Sequence, residues 1–112
     1  MDATTRRLVD FTEALQFTDL PPAAIEAAKA RILSTVAVSL AAHETAPVRS
    51  ARALAQPVAG GPAATLFGTP IRTTVDMAAF VNSAMVRSLD MSDSYVMAAV
   101  SHPADAFPAV LA

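Results

Sequence analysis

Cysteine is absent from these 112 residues, which removes disulfides, thiolate metal ligands and cysteine nucleophiles from consideration. Lysine occurs once, at Lys29, and the formal net charge is −2. A chain so poor in positive charge carries no electrostatic footprint for nucleic acid. Charge of either sign is scarce, with Asp, Glu, Lys and Arg at 16% against about 25% in an ordinary soluble domain. None of the four occurs from Ala53 to Ile71, and only Glu44 lies between Arg31 and Arg49. Long hydrophobic runs are missing as well. The longest strongly apolar stretch, Ile32 to Ala42, is about half of the roughly 20 residues that cross a bilayer. Behind Arg6 and Arg7, the acidic Asp10 and Glu13 interrupt what a secretory signal would need to keep apolar. The expectation is a soluble, cytoplasmic protein that engages neither nucleic acid nor membrane.

What the chain does have is apolar residues, at 54%. A monomer of this size is mostly surface, so this much uncharged chain is expected to be covered by further protein. The final "PADAFPAVLA" begins like a helix, stays apolar, and ends without Gly, Asn or a basic residue as a stop signal. Residues 1–112 are therefore expected to be the N-terminal part of a larger protein, with no domain boundary inside them.

The periodicity is mainly that of helices. Leu8, Phe11, Thr12 and Leu15 share one side of a helix over Thr5–Gln16. A second helix is expected from Pro22, a residue suited to a first helical turn, to about Ala42. Ile25, Ile32, Leu33, Val36 and Leu40 should face inward, and "ILSTVAVSLAA" reads as buried all round. A short third helix begins near Pro47 and ends before Pro57. Residues 63–72, between Gly60-Gly61-Pro62 and Gly68-Thr69-Pro70, read as a small strand and turn. Those glycines have neither the spacing nor the Lys-Ser/Thr ending of a phosphate cradle, so they are assigned to turns. Thr73 fits an N-cap supported by Asp76, opening a helix to about Leu89. That helix is apolar nearly all round, except for a stripe of Asp76, Ser83, Arg87 and Asp90 with Asn82 beside it. Such a stripe needs partners, because unpaired buried polar groups are costly. The fold class is mainly α.

The polar chemistry concentrates in "SLDMSDSYVMAAVSHPADAFP", Ser88–Pro108. "MSDSYVMAAVS" reads as a loop, and Pro103 makes His102 the N-cap of the next helix. Free N–H groups at that helix start suit an anion such as a carboxylate. Spacing alone leaves two readings of the aspartates. In one, Arg87 pairs with Asp90 at i, i+3 while Asp93 caps the loop; in the other, a carboxylate at the end of a buried helix binds or activates a substrate. Calcium is rejected, because Tyr95 and Ser101 stand where an EF-hand loop needs glycine and glutamate. His102 is either a structural cap or, next to two aspartates, a general acid/base, since imidazole titrates near neutrality. His43, at a helix end, is taken as structural or solvated. Tyr95 is a proton donor or a packing residue, and the methionines are core filling.

Two segments carry a resemblance to a known family. "FTEALQFTDLPPAAIEAAKARILSTVAVSLAA" and "GGPAATLFGTPIRTTVDMAAFVNSAMVRSLDMSDS…SHPADAFPAVLA" resemble the opening of the MmgE/PrpD family. That family includes 2-methylcitrate dehydratase, cis-aconitate decarboxylase and an iminodisuccinate epimerase. The resemblance covers nearly the whole chain, and its most specific parts are the aspartate cluster and the His-Pro step. It implies the N-terminal portion of a helical domain, completed by the other chain end and faced by an inserted α/β lid. It also implies a homodimer acting on a small di- or tricarboxylate, with no cofactor or iron–sulfur cluster and no metal. By motif, Asp90 and Asp93 match the first and last aspartates of the family's D-x-D-D cluster, Ser94 the hydroxyl residue after it, and His102 the active-site histidine. The implied roles are catalytic for Asp90 and His102 and substrate-binding for Asp93, Ser94 and Arg87. The chain departs from the pattern at Ser83, Arg87, Ser92 and Asp105, and its Asp90–His102 loop is slightly longer. The second histidine, lysine and tyrosine that members use come from later in the chain, so residues 1–112 alone are expected to be inactive. The expected activity is that of a 2-methylcitrate dehydratase-like hydro-lyase. Decarboxylase, epimerase and a non-catalytic helical interaction module stand as alternatives.

Overall fold

The computed structural model describes residues 1–96 and 99–112. Among them, α1 (Ala3–Ala14), α2 (Pro22–Ala41), α3 (Ala46–Leu54), α4 (Val75–Arg87) and α5 (Phe107–Leu111) dominate. Two short antiparallel pairs accompany them: β1 (Ala64–Thr65) with β2 (Arg72–Thr73), and β3 (Tyr95–Val96) with β4 (Val100–Ser101). The mainly α reading holds, and the 63–72 segment is the first strand pair. Met97 and Ala98, inside the segment read as a loop, lie outside the described residues. The residues flanking them form the second pair rather than a loop.

Local chemistry sets most boundaries. Asp2 caps α1, its carboxylate accepting from the Thr5 N–H at 2.9 Å, so the helix starts earlier than its apolar spacing indicates. Between β1 and β2 the chain turns through Gly68 at φ 71°. A Cβ there would stand 2.9 Å from Leu40 Cδ2, so backbone angle and close approach both call for glycine. Thr73 does not cap α4. Its hydroxyl is buried in the sheet and donates to the Gln56 carbonyl at 2.8 Å, which leaves Thr74 as the N-cap.

Helix α4 is the axis of the molecule and packs against α2, α3 and α5. One core cluster joins Ala51 of α3 and its C-cap Ala55, Leu66, and Ala78 and Val81 of α4. A second joins Ala42, Val48 and Met85, with Phe67 against them. Asn82, buried in α4, accepts the Phe67 N–H at 2.9 Å and donates to the Thr65 carbonyl at 3.1 Å. It is the polar tie between α4 and the first strand pair.

The expectation for α2 is overturned at three of its five positions, while Ile25 and Val36 are half-buried. Ile32, Leu33 and Leu40 are exposed, and the buried positions are Thr35 and Ser39. Each hydroxyl donates to a carbonyl one turn earlier, Thr35 to Arg31 at 2.8 Å and Ser39 to Thr35 at 2.7 Å. Hydroxyls satisfied within their own helix need no outside partner, so both positions can be buried where α2 packs into the fold. The bulky residues are left on the outer side.

Candidate active site

The second strand pair assembles the polar cluster. Tyr95 stands opposite Ser101 and Val96 opposite Val100, so the residues just before β3 lie beside those just after β4. Asp93 is thereby brought to the turn that starts at His102. Its carboxylate is 13% exposed and both oxygens are engaged. Oδ1 accepts the Ala104 N–H at 3.0 Å, and Oδ2 accepts from Arg31 Nη1 of α2 at 2.8 Å. The anion expected at this helix start is therefore Asp93 itself rather than an incoming carboxylate. The helix begins as a 3₁₀ turn, Pro103–Ala106, before α5.

His102 is half-buried, and its Nδ1 lies 2.7 Å from the Asp93 carbonyl oxygen. A carbonyl only accepts, so Nδ1 carries the hydrogen and a neutral ring keeps its lone pair on Nε2. No hydrogen bond to Nε2 exists among the described residues. That is the arrangement of a base: one nitrogen anchored, the other able to take a proton.

Asp90 lies elsewhere in the cluster. Two residues past the Ser88 C-cap its backbone turns to φ 51°, a left-handed angle that Asp tolerates better than most residues. Its carboxylate is largely exposed and pairs with Arg87 Nη2 at 3.1 Å. Arg87 also donates to Ser92 Oγ at 3.1 Å and lies 3.7 Å from Asp105. Among the described residues no hydrogen bond joins Asp90 to His102; the group that orients the imidazole is the Asp93 carbonyl. Ser94 and Tyr95 are exposed. Arg31 was not singled out in the sequence, because its partner lies 62 residues away. The only local trace is its place one turn before Thr35.

On the α2 side of the Asp93 clamp is a cavity of about 180 Å³, lined by Ala28, Arg31, Ile32, Thr35, Asp93, Pro103, Ala104 and Phe107. Neither Asp90 nor His102 lines it. Elsewhere, His43 accepts from Arg52 at 2.6 Å through Nε2 and donates to Glu44 at 2.7 Å through Nδ1. That hydrogen bond, then Arg52, holds the Glu44 carboxyl below its usual range. His43 thus links the end of α2 to Arg52 of α3. Among the described residues no group of three His, Asp or Glu side chains could hold a metal ion, and no helix is long and apolar enough to cross a membrane.

No solved structure matches this chain. The match to a family is to the MmgE/PrpD N-terminal domain, over residues 6–112. With the aspartate cluster, the His-Pro step and a mainly helical body in place, the chain belongs to the MmgE/PrpD family as its N-terminal domain.

Proposed function

We propose that the protein is a lyase acting on a small di- or tricarboxylate, in the manner of 2-methylcitrate dehydratase. His102 serves as the base. The observation that carries this reading is the His102–Asp93 hydrogen bond, which leaves Nε2 as the ring's proton acceptor. In the reaction, Nε2 removes a proton from a carbon next to a substrate carboxylate. The electron pair forms a carbon–carbon double bond as hydroxide leaves the neighbouring carbon, and protonation of that hydroxide yields water. Asp90, exposed at the end of α4, is assigned to proton transfer at the leaving group. Ser94 and Arg87 are assigned to the substrate carboxylates. The ion pairs of Arg87 with Asp90 and Asp105 are exposed and worth up to about 1 kcal/mol each, so a substrate carboxylate exchanges with them at low cost. Asp93 is assigned to holding the site rather than to direct contact. The domain is proposed to work in a homodimer of the full-length protein.

The test is turnover by the purified full-length protein offered 2-methylcitrate, cis-aconitate and iminodisuccinate in parallel. We expect dehydration of the first, and loss of at least about 100-fold in kcat for His102→Ala, the range of a removed general base, with Tm retained. Turnover of cis-aconitate or iminodisuccinate instead would move the reading to the decarboxylase or epimerase class. No turnover of any of them, with His102→Ala changing only Tm, would leave a non-catalytic helical module.

A further inference from the structure

We propose that Arg31 is a positioning residue for His102 and acts through Asp93. The inference rests on the reading of His102 as the base. The Asp93 carboxylate is held from two sides, by Arg31 of α2 at 2.8 Å and by the Ala104 N–H at 3.0 Å. The carbonyl of the same residue receives the His102 Nδ1–H at 2.7 Å. Three hydrogen bonds therefore fix one residue, and the third sets both the angle and the tautomer of the imidazole. Among the described residues Arg31 supplies the one hydrogen bond from this group to α2. Without it a carboxylate that is 13% exposed is left with only one N–H opposite it. Such a group turns toward water, and its backbone carbonyl moves with it.

The tautomer makes this measurable. A free neutral imidazole favours hydrogen on Nε2, so an Nδ1–H form at His102 depends on the carbonyl that holds it. A weakened clamp returns the hydrogen to Nε2, where it blocks the atom that must accept the substrate proton. Tautomer and rate should then change together.

The experiment uses the full-length protein and multiple-bond proton–nitrogen NMR of the histidine rings, with the His102 signals assigned from a His102→Asn variant. In the wild type we expect a protonated Nδ1 and a bare Nε2. In Arg31→Gln the two nitrogens should move toward a mixture, while kcat falls roughly 10- to 100-fold with KM little changed. That is the loss seen when the group orienting a metal-bound histidine is removed. Arg31→Lys should restore most of the nitrogen pattern and part of the rate. An Arg31→Gln protein with wild-type nitrogen shifts and wild-type kcat overturns the proposal. Asp93→Asn keeps an acceptor for Ala104 but loses the ion pair, and it should shift the tautomer in the same direction. Unchanged shifts there overturn the proposal even where Arg31→Gln does not fold. Full turnover by His102→Ala would by itself sink the reading of His102 as the base, while the nitrogen shifts still decide the role of Arg31.

Discussion

Asn82 is 2% exposed and satisfies two backbone groups that β1 and β2 leave unpaired, the Phe67 N–H and the Thr65 carbonyl. Asn82→Ala leaves both without a partner beneath α4, which costs about 1–3 kcal/mol. Chemical denaturation should show a lower midpoint with an unchanged slope; a midpoint within error of wild type would mean that water replaces the amide. The sequence marks Asn82 only as a residue beside a polar stripe, because its partners sit 15 and 17 positions upstream. His102 and Asp90 were visible through the aspartate cluster and the His-Pro step. Arg31 was not, and neither was the assignment of the orienting role to a main-chain carbonyl. A backbone atom leaves no residue type to read.

At the scale of elements, α4 carries the structure because both core clusters include it. Met85, 1% exposed, plugs the space between α2, α3 and the Phe67 turn. Met85→Ala should cost about 2–5 kcal/mol, the range for emptying a buried long side chain, seen as a lower Tm with helical circular dichroism retained. A loss below about 1 kcal/mol would show that the neighbours close over the gap. Helix positions were legible in the sequence, since apolar spacing and prolines mark them. Which face of α2 meets α4 was not. Apolar periodicity finds the greasy side of a helix, and here the buried positions are Thr35 and Ser39, whose hydroxyls are spent within the helix. The second strand pair was also missed, being two residues per strand and rich in residues that also read as loop.

The whole molecule is open. A compact monomer of 11.6 kDa exposes about 5,800 Å², whereas this chain exposes 7577 Å². Its radius of gyration is 16.0 Å, against about 13 Å for a compact chain of this length. Helix α1 has no buried residue, and Leu8, Phe11 and Leu33 stand more than 60% exposed. Leu33→Ser should therefore change stability by no more than about 0.5 kcal/mol, as for other surface substitutions, and lower the binding of an apolar dye. A large fall in Tm for this variant would show that Leu33 is covered in solution. The composition already pointed to this scale, through uncharged stretches too long for a chain so small.

The Arg31–Asp93 contact also bears on the order of folding. It joins residues 62 positions apart, while the His102 and Ala104 bonds to the same aspartate close over 9 and 11. The entropy of closing a loop rises with the logarithm of its length, about 0.6 kcal/mol for each doubling. Local pieces therefore form first, and a contact of this span waits until α2 and α4 have docked. On the proposed role of Arg31, the His102 nitrogen signals should reach their native pattern only after that docking.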